Sequence, residues 1–228
     1  PEALRSGEYQ QGIAKLIGAA DAPAPFQPYL RAIEAANPRG GLSVYPGSPV
    51  LVARALRVQD RLVACDLYPK EAEILKETLY PWPRARVEAR DGYGALRALL
   101  PPPERRGLIL IDPPFEKKTE FSDLADAMTQ AWKRFPGGVY LVWYPLKDRA
   151  GADMFLSRIK AGGMRDATTY ELFVRDPEAA PGMAGSGLLA LNASFALDPA
   201  MDQIGPWLAA RLAQGPGARF TKTRLTAE

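Results

Sequence analysis

Histidine is absent from the 228 residues, and Cys65 is the only cysteine. Without an imidazole, the chain cannot build a Ser-His-Asp or Cys-His catalytic group or an HExxH zinc site. A single cysteine excludes an intrachain disulfide and a cysteine-based zinc cluster. Any chemistry must therefore use carboxylates, amides, aromatic rings, lysines or a cofactor, and we expect no metal site.

Long apolar runs are missing as well. No stretch approaches the roughly 18 apolar residues that a membrane span requires. The N-terminal "PEALRSGEYQ" lacks the basic and apolar regions of a signal peptide. We therefore expect a cytoplasmic protein with no membrane partner.

Charge of the two signs is nearly balanced, with 29 lysines and arginines against 26 aspartates and glutamates, and the net charge is +3. So small an excess is weak evidence for an anionic partner. The basic residues do gather near predicted strand ends: Arg84, Arg86, Arg90, Arg97, Arg105, Arg106, Lys117 and Lys118. A nucleic-acid partner and a merely solvated basic surface are both open interpretations.

Segments with β character alternate with helical segments from about residue 48 onward. The pattern predicts strands at 62–66, 85–89, 108–111, 139–143, 168–174 and 188–191, and helices at 69–80, 93–100, 122–135 and 148–161. Such alternation predicts a parallel sheet covered by helices on both faces. The last two strands flank "RDPEAAPGMAGS", which favours a hairpin and an antiparallel pair at the edge of the sheet. The tail after Gln214 is either one more edge strand or a frayed end.

The first 44 residues follow a different pattern. "SGEYQQGIAKLIGAA" and "PFQPYLRAIEAAN" predict two short helices separated by "DAPAP". We therefore expect a helical subdomain at 1–44 and an α/β core at 45–228.

A carboxylate follows three successive predicted strands: Asp66 in "RLVACD", Asp91 in "ARVEARD" and Asp112 in "GLILID". In an open parallel sheet, ligands bind beyond the carboxyl ends of the strands. Asp66 could accept hydrogen bonds from ribose hydroxyls, and Asp91 with Gly92 could accept an adenine amino group, which leaves Asp112 facing the reacting centre. Each aspartate could instead cap the helix that follows it.

The stretch "RRGLILIDPPFE" resembles the (Asp/Asn/Ser)-Pro-Pro-(Tyr/Phe/Trp) motif of S-adenosylmethionine-dependent methyltransferases that act on exocyclic amino groups of bases. Taken with "YPGSP", "DGY", "WYP" and "GMAGSGLLALN", it resembles the bacterial 23S ribosomal RNA adenine-6-amino methyltransferases over nearly the whole chain. The resemblance implies a Rossmann-like methyltransferase fold, with a mostly parallel sheet, an antiparallel edge strand and a small inserted helical subdomain. It implies S-adenosylmethionine as the cofactor, with contacts at Ser48, Asp66, Asp91 and Asp112. Gly92, which follows Asp91, is a further candidate for cofactor binding.

The chain also departs from that family. Its members begin with a histidine-bearing segment, a first strand and a glycine-rich Asp-x-x-x-Gly-x-Gly loop that surrounds the methionine part of the cofactor. The sequence contains no such block. We therefore expect it to be an incomplete view of a longer enzyme.

The resemblance implies catalysis at Asp112, Pro113, Pro114 and Phe115. Asp112 and the backbone carbonyl of Pro113 could accept both amino hydrogens of the base, while the two prolines fix φ and remove two N–H donors. Phe115 could stack on a base that has been flipped out of its helix.

Three further residues are candidates for substrate binding. Lys117 and Lys118 could hold phosphates, and Tyr144 could line the base pocket. The lysines could equally be solvated and Tyr144 could be a packing residue, just as Ser48 could cap a helix.

These observations lead us to expect methyl transfer from S-adenosylmethionine to the 6-amino group of an adenine in 23S ribosomal RNA, carried out by a monomer. The alternatives are a DNA adenine or cytosine amino methyltransferase, an RNA guanine 2-amino methyltransferase, and a non-catalytic RNA-binding module. A dinucleotide-dependent oxidoreductase is weaker, because hydride transfer has no use for the Pro-Pro pair.

Overall fold

The computed structural model describes residues 7–147, 149–179 and 181–227. Contacts divide the chain into two compact units: one is Phe26–Ala98, and the other joins Pro1–Pro25 to Leu99–Glu228. A one-turn helix, α1 (Glu8–Gln11), and the 3₁₀ turn Ile13–Lys15 come first among the described residues. The subdomain boundary at residue 44 stays a prediction, and residues 1–6 of that subdomain lie outside the described part.

The unit Phe26–Ala98 contains a parallel pair of strands. β1 (Leu62–Asp66) pairs with β2 (Ala85–Ala89) along its whole length, and both strands have the predicted bounds. Four helices accompany them: α2 (Gln27–Ala36), α3 (Ser48–Ala55), α4 (Pro69–Leu79) and α5 (Gly92–Leu99). The crossover from β1 through α4 to β2 is the expected βαβ connection of a parallel pair.

The core of this unit forms between the strands and helices α3 and α4. Ala53, Ala64 and Leu79 are buried at its centre, and six half-buried apolar residues pack against them: Val50, Leu62, Leu75, Trp82, Ala85 and Val87. Helix α4 begins with Pro69, which is favourable there because the first helical N–H has no partner within the helix.

The other unit contains a five-stranded sheet in the order β3-β4-β6-β5-β7. Its strands are β3 (Leu108–Ile111), β4 (Val139–Pro145), β5 (Ala167–Phe173), β6 (Gly185–Leu191) and β7 (Arg219–Thr226). β3 and β4 are parallel, β6 is antiparallel to both β4 and β5, and β7 is antiparallel to β5.

The predicted hairpin of the last two strands is confirmed, and the tail after Gln214 forms the antiparallel edge strand β7. Two details differ from the expectation. The five-stranded sheet is mixed and not mostly parallel, because only β3 and β4 run parallel in it. β6 lies inside the sheet between β4 and β5, where its partners cover it on both sides. This position suits an apolar strand that contains the buried residues Leu189, Ala190 and Leu191.

Three long helices cover this sheet: α6 (Glu120–Arg134), α7 (Arg149–Ala161) and α8 (Leu197–Leu212). α6 packs against α7, while α8 packs on β5 and β7. The buried face of α6 repeats at helical spacing through Leu124, Ala127, Met128 and Ala131. Residue 148, the predicted start of α7, lies outside the described part.

Helix α8 was not predicted, because Pro206 interrupts the segment and proline disfavours a helix interior. No helix among the described residues is both long and apolar enough to cross a membrane.

Candidate active site

The DPPF loop begins directly where β3 ends. Asp112 follows Ile111, and Ile111 pairs with Val142 of the parallel strand β4, so Asp112 and Trp143 are the next residues of two neighbouring strands. Pro113 is buried, whereas Asp112 and Pro114 are exposed. The chain then runs through an exposed turn into α6 at Glu120. The carboxylate thus stands at the carboxyl end of a parallel strand, where α/β folds bind ligands.

Asp112 has an altered acidity. Its side chain reaches solvent, but the surrounding protein removes part of its hydration, and this desolvation raises the pKa of the carboxyl above its ordinary value. Desolvation acts in this direction because it disfavours the charged form. A carboxylate with a raised pKa is a better hydrogen-bond and proton acceptor than an ordinary aspartate.

Phe115 has an unusual backbone conformation. Its φ of 51° lies in the left-handed region, which costs a residue with a Cβ roughly 1–2 kcal/mol. Its ring contacts Phe121 at 4.8 Å between centroids and Trp143 at 5.9 Å in an edge-on arrangement. Aromatic pairs of this kind contribute about 0.5–1.5 kcal/mol beyond the area they bury. The two contacts can therefore offset most of the backbone strain.

Tyr144 is completely buried in this unit. Its ring lies over Gly187, where even a methyl group would overlap it, and its hydroxyl donates to Glu171 Oε1 at 3.0 Å. Arg149 donates to both oxygens of the same carboxylate, at 2.7 and 2.8 Å. This burial and hydrogen bonding favour a structural role for Tyr144, and a contact with the base stays a prediction.

Lys117 and Lys118 lie on the exposed turn between the DPPF loop and α6. The turn is held by Glu120, whose N–H donates to the carbonyl of Lys117 at 3.1 Å. Their side chains are accessible to an anionic ligand, but exposure alone does not separate phosphate binding from simple solvation. Binding by these lysines stays a prediction.

The remaining candidates belong to the unit Phe26–Ala98. Asp66 is the last residue of β1, and its Oδ1 accepts the Tyr68 N–H at 2.8 Å. Asp91 caps helix α5, because Oδ2 accepts the Gly94 N–H at 2.7 Å and Oδ1 accepts the Tyr93 N–H at 3.3 Å. Each carboxylate keeps further lone pairs for a ligand. Capping and cofactor binding by Asp91 are therefore compatible.

Ser48 and Gly92 each begin a helix in the same unit. Ser48 is exposed at the first position of α3, with Gly47 as the N-cap. Gly92 opens α5 beside open space, since a methyl group placed on it would meet nothing within 4 Å. A ligand can therefore approach the backbone of Gly92 closely, as the cofactor prediction requires.

The structure brings Asp112, Pro113, Pro114 and Phe115 into one loop of the five-stranded unit, and it places Asp66, Asp91, Gly92 and Ser48 in the other unit. Two clefts among the described residues lie elsewhere: one of about 470 Å³ near Trp132 and Asn192, and one of about 530 Å³ near Tyr80 and Trp82. Within the described residues, no group of three histidine, cysteine, aspartate or glutamate side chains could hold a metal ion.

Comparison with known families gives the decisive observation. Residues 1–224 match the family described as "Ribosomal RNA large subunit methyltransferase D, RlmJ". The chain belongs to this family. Two curated relatives are named "Ribosomal RNA large subunit methyltransferase J". The one from Escherichia coli K12 is 38% identical over 210 residues, covering 92% of this chain and 75% of the relative. The one from Haemophilus influenzae is 34% identical and covers all of this chain and 81% of the relative.

Two solved structures are similar to this chain in fold. A crystal structure of a protein from Legionella pneumophila matches 95% of this chain and 80% of its own length, with a TM-score of 0.89 and 33% identity. A probable spermidine synthase from Corynebacterium glutamicum matches with a TM-score of 0.50 and 14% identity, covering 93% and 82% of the two chains, and this likeness concerns the fold alone. The predicted fold class, α/β and Rossmann-like, is confirmed.

Several residues around the DPPF loop of this RlmJ-family member were not singled out as functional candidates from the sequence. Phe121 contacts Phe115 from the first turn of α6, and Glu171 with Arg149 holds Tyr144. A signal for Glu171 was available, because a lone acid within the apolar strand "TTYELF" needs a buried partner. Phe121 gave no such signal, since an aromatic residue on an amphipathic helix normally belongs to the core.

Proposed function

We propose that this chain transfers a methyl group from S-adenosylmethionine to the exocyclic 6-amino group of an adenine in 23S ribosomal RNA, as a cytoplasmic, monomeric enzyme. The observation that carries the proposal is the DPPF loop. In a member of a ribosomal RNA methyltransferase family, it presents a partly desolvated carboxylate at the carboxyl end of a parallel strand.

The chemistry requires acceptors more than a strong base. The lone pair of an aromatic amine is delocalised into its ring, so the amine is a poor nucleophile. Asp112 and the carbonyl of Pro113 accept the two amino hydrogens, which favours a more tetrahedral nitrogen whose lone pair is localised and directed toward the methyl group. When bound, S-adenosylmethionine would supply the electrophilic methyl group, and its S–CH3 bond would break so that the neutral thioether leaves with the electron pair. The proton leaves after the new N–C bond has formed. Because its pKa is raised, the Asp112 carboxylate is suited to accept that proton temporarily.

Positioning accounts for much of the expected rate gain. Well-oriented reactants can lower a barrier by about 7–11 kcal/mol, provided that the loop is rigid. Pro113 and Pro114 have φ fixed near −65°, and the buried Pro113 anchors the loop to the protein. The loop therefore keeps its acceptors directed at the place where the amine must lie.

Cofactor binding falls to the unit Phe26–Ala98 in this proposal. Asp66 and Asp91 end or follow parallel strands, and Gly92 leaves room for a ligand beside the backbone. Asp66 would accept the ribose hydroxyls and Asp91 the adenine amino group, with Ser48 at the rim. The donor and acceptor types fit the adenosine part of the cofactor.

Substrate binding falls to the loop and its flank. A flipped base must be unstacked at a cost of a few kcal/mol. Stacking on Phe115 returns roughly 1–3 kcal/mol of this. Lys117 and Lys118 would hold the phosphates on either side of the flipped nucleotide.

The proposal is tested by incubating the full chain with methyl-tritiated S-adenosylmethionine and, separately, protein-free 23S ribosomal RNA, 23S RNA within the large subunit, and duplex DNA. Digestion and chromatography of the labelled nucleosides should give N6-methyladenosine from 23S RNA in at least one form. Asp112→Ala should give none while keeping its RNA affinity. Label in DNA only, or in a guanine, would reject the proposal, and unlabelled RNA that still binds would support a non-catalytic module.

A further inference from the structure

We infer that Trp143 and Phe121 are positioning residues for the proposed methyl transfer, acting through Phe115. The inference rests on the function proposed above. Neither side chain needs to touch the substrate, because both hold the ring of Phe115. They thereby fix the left-handed turn that ends the DPPF loop.

The first step is the conformation of Phe115 itself. Left-handed φ values are tolerated by glycine, and by asparagine or aspartate through local hydrogen bonds, but phenylalanine has no such compensation. A strained residue of this kind persists only where its surroundings determine its conformation. The two prolines before it are already constrained, so the direction of the chain after Pro114 depends on how Phe115 is held.

The second step is the pair of contacts that hold it. Phe121 lies 4.8 Å from the Phe115 ring at an interplanar angle of 52°, and Trp143 lies 5.9 Å away at 62°. Both residues come from regular elements, the first turn of α6 and the strand β4. A ring clamped from a helix and a strand has little freedom to turn while the rest of the loop stays in place.

Phe121 and Trp143 together form what we call the clamp, and the third step is its anchoring in the core. Phe121 contacts Phe155 of α7 at 6.2 Å, and Phe155 is fully buried. Phe155 in turn contacts the buried Tyr144, also at 6.2 Å. Phe115, Phe121 and Trp143 are only half-buried, so Phe115 keeps some surface that a substrate could reach. The loop thus rests on a continuous row of rings and still offers a surface for stacking.

The position of Trp143 gives the clamp its link to the reaction. Ile111 and Val142 are the last pair of β3 and β4, and Asp112 and Trp143 are the residues that follow them along the chain. Trp143 therefore contacts the stacking ring, Phe115, from a strand position next to the one that leads into the acceptor, Asp112. Loss of the indole should let the two drift apart, and a misplacement of about 1 Å can cost about a hundredfold in rate.

Kinetics of the full chain test this inference with Trp143→Leu, Trp143→Phe and Phe121→Leu. Trp132→Leu is the matched control, because Trp132 is also half-buried in this unit and also packs on one ring, Tyr140, at 6.1 Å. We expect kcat to fall by about tenfold to a hundredfold in Trp143→Leu and Phe121→Leu, with KM for S-adenosylmethionine changed by less than about twofold. Trp143→Phe should recover most of kcat, and Trp132→Leu should keep it, measured per folded molecule.

A readout without turnover separates this inference from the function on which it rests. In protein labelled with 4-fluorophenylalanine, the ¹⁹F resonance of Phe115 is assigned by its loss in Phe115→Leu. We expect it to move and broaden in Trp143→Leu and to stay in place in Trp132→Leu. A silent wild-type enzyme with this ¹⁹F result would reject the proposed methylation and leave the clamp supported. An unmoved resonance, or equal kcat in Trp143→Leu and Trp132→Leu, would overturn the inference.

Discussion

At the scale of single residues, Asp112 carries both the proposed chemistry and a cost to stability. Its folded pKa is raised by desolvation, so its protonated form is favoured in the native state. The stability that this group contributes is fully present below its unfolded pKa of about 3.9 and is lost as the pH rises through its higher folded value. At pH 7 the charged carboxylate therefore opposes folding.

We predict that Asp112→Asn slows methyl transfer and leaves the thermal midpoint at pH 7 unchanged or higher. The rate should fall by about tenfold or more, because the amide oxygen still accepts an amino hydrogen but lacks the charge that strengthens the bond and cannot take up the proton. Any gain in the midpoint should shrink as the pH falls through the raised pKa of the folded state, because the wild-type carboxyl then takes up its proton. Activity assays and thermal scans from pH 4 to 8 measure both effects, and a marked loss of stability at pH 7 would contradict the desolvation argument.

Asp91 shows why one residue type at a strand end allows two interpretations. The structure establishes the capping role, through the hydrogen bonds from Gly94 and Tyr93, and leaves the cofactor role as a proposal. The sequence predicted the position of the carboxylate but could not separate the two roles. A helix start and a ligand site both need a short side chain with an acceptor at the end of a strand.

We predict that Asp91→Asn separates them. Asparagine keeps one acceptor oxygen, which can serve the shorter bond from Gly94, so the free energy of unfolding should change little, whereas Asp91→Ala should lose about 0.5–2 kcal/mol with the cap. If Asp91 also binds the cofactor, both variants should weaken S-adenosylmethionine binding, by about tenfold or more for the loss of a hydrogen bond to a charged acceptor. Calorimetry measures the affinity for S-adenosylmethionine, and urea unfolding measures the free energy of unfolding. Unchanged affinity in Asp91→Asn would leave Asp91 as a cap alone.

At the scale of elements, apolar pattern and length located the strands well and their ends less well. β1, β2 and β3 have the predicted bounds, while β6 begins at Gly185 where the pattern indicated residue 188. Glycine disfavours strands, so a local pattern excludes Gly185 and Gly187. Tertiary contacts explain why both positions are glycine. A methyl group on Gly187 would overlap the Tyr144 ring, and one on Gly185 would overlap the backbone of Leu172. Neighbours from distant parts of the chain determine such positions.

We predict that Gly187→Ala destabilises the protein by about 1–3 kcal/mol, the usual cost of overpacking. The added methyl group must displace Tyr144, whose hydroxyl then loses Glu171. Gly137→Ala is the control, because a methyl group there meets nothing within 4 Å. Its unfolding free energy should stay within about 0.5 kcal/mol of wild type. Equal urea midpoints for the two variants would contradict this account of β6.

At the scale of the whole molecule, the sequence predicted the α/β class and the hairpin of β5 and β6 but not the place of β6 in the sheet. A strand between β4 and β5 pairs with residues more than 40 positions earlier in the chain, as Leu191 does with Tyr140. Local apolarity shows that a strand is buried, and it does not show which strands lie beside it. Helix α8 was missed for the opposite reason, since Pro206 gave a local signal that packing on β5 and β7 overrides.

The proposed cofactor site makes a prediction for the stability of the whole chain. A ligand that binds only the native state at 100 times its Kd stabilises it by about 2.7 kcal/mol. In a chain of this size, that should raise the thermal midpoint by roughly 5–10 °C. We expect S-adenosylmethionine to produce this rise in the wild type and Asp66→Asn to lose most of it, because the amide is a weaker acceptor for ribose hydroxyls.

Asp60→Asn is the matched control for that experiment. Asp60 precedes β1 at its amino end and binds Arg57 at 2.9 Å on the surface. Its loss should lower the starting midpoint slightly, since exposed ion pairs contribute about 0–1 kcal/mol, and leave the rise on adding cofactor intact. The Tyr68 N–H can donate to a carboxylate oxygen of Asp66 or to the amide oxygen of the asparagine variant, so the turn at Tyr68 is kept in both proteins. A change in the ligand response therefore reports the loss of the carboxylate and not a change in the fold. A full rise of the thermal midpoint in Asp66→Asn would show that Asp66 is not part of the cofactor site. The absence of any rise in the wild type would contradict the proposal that this chain binds S-adenosylmethionine.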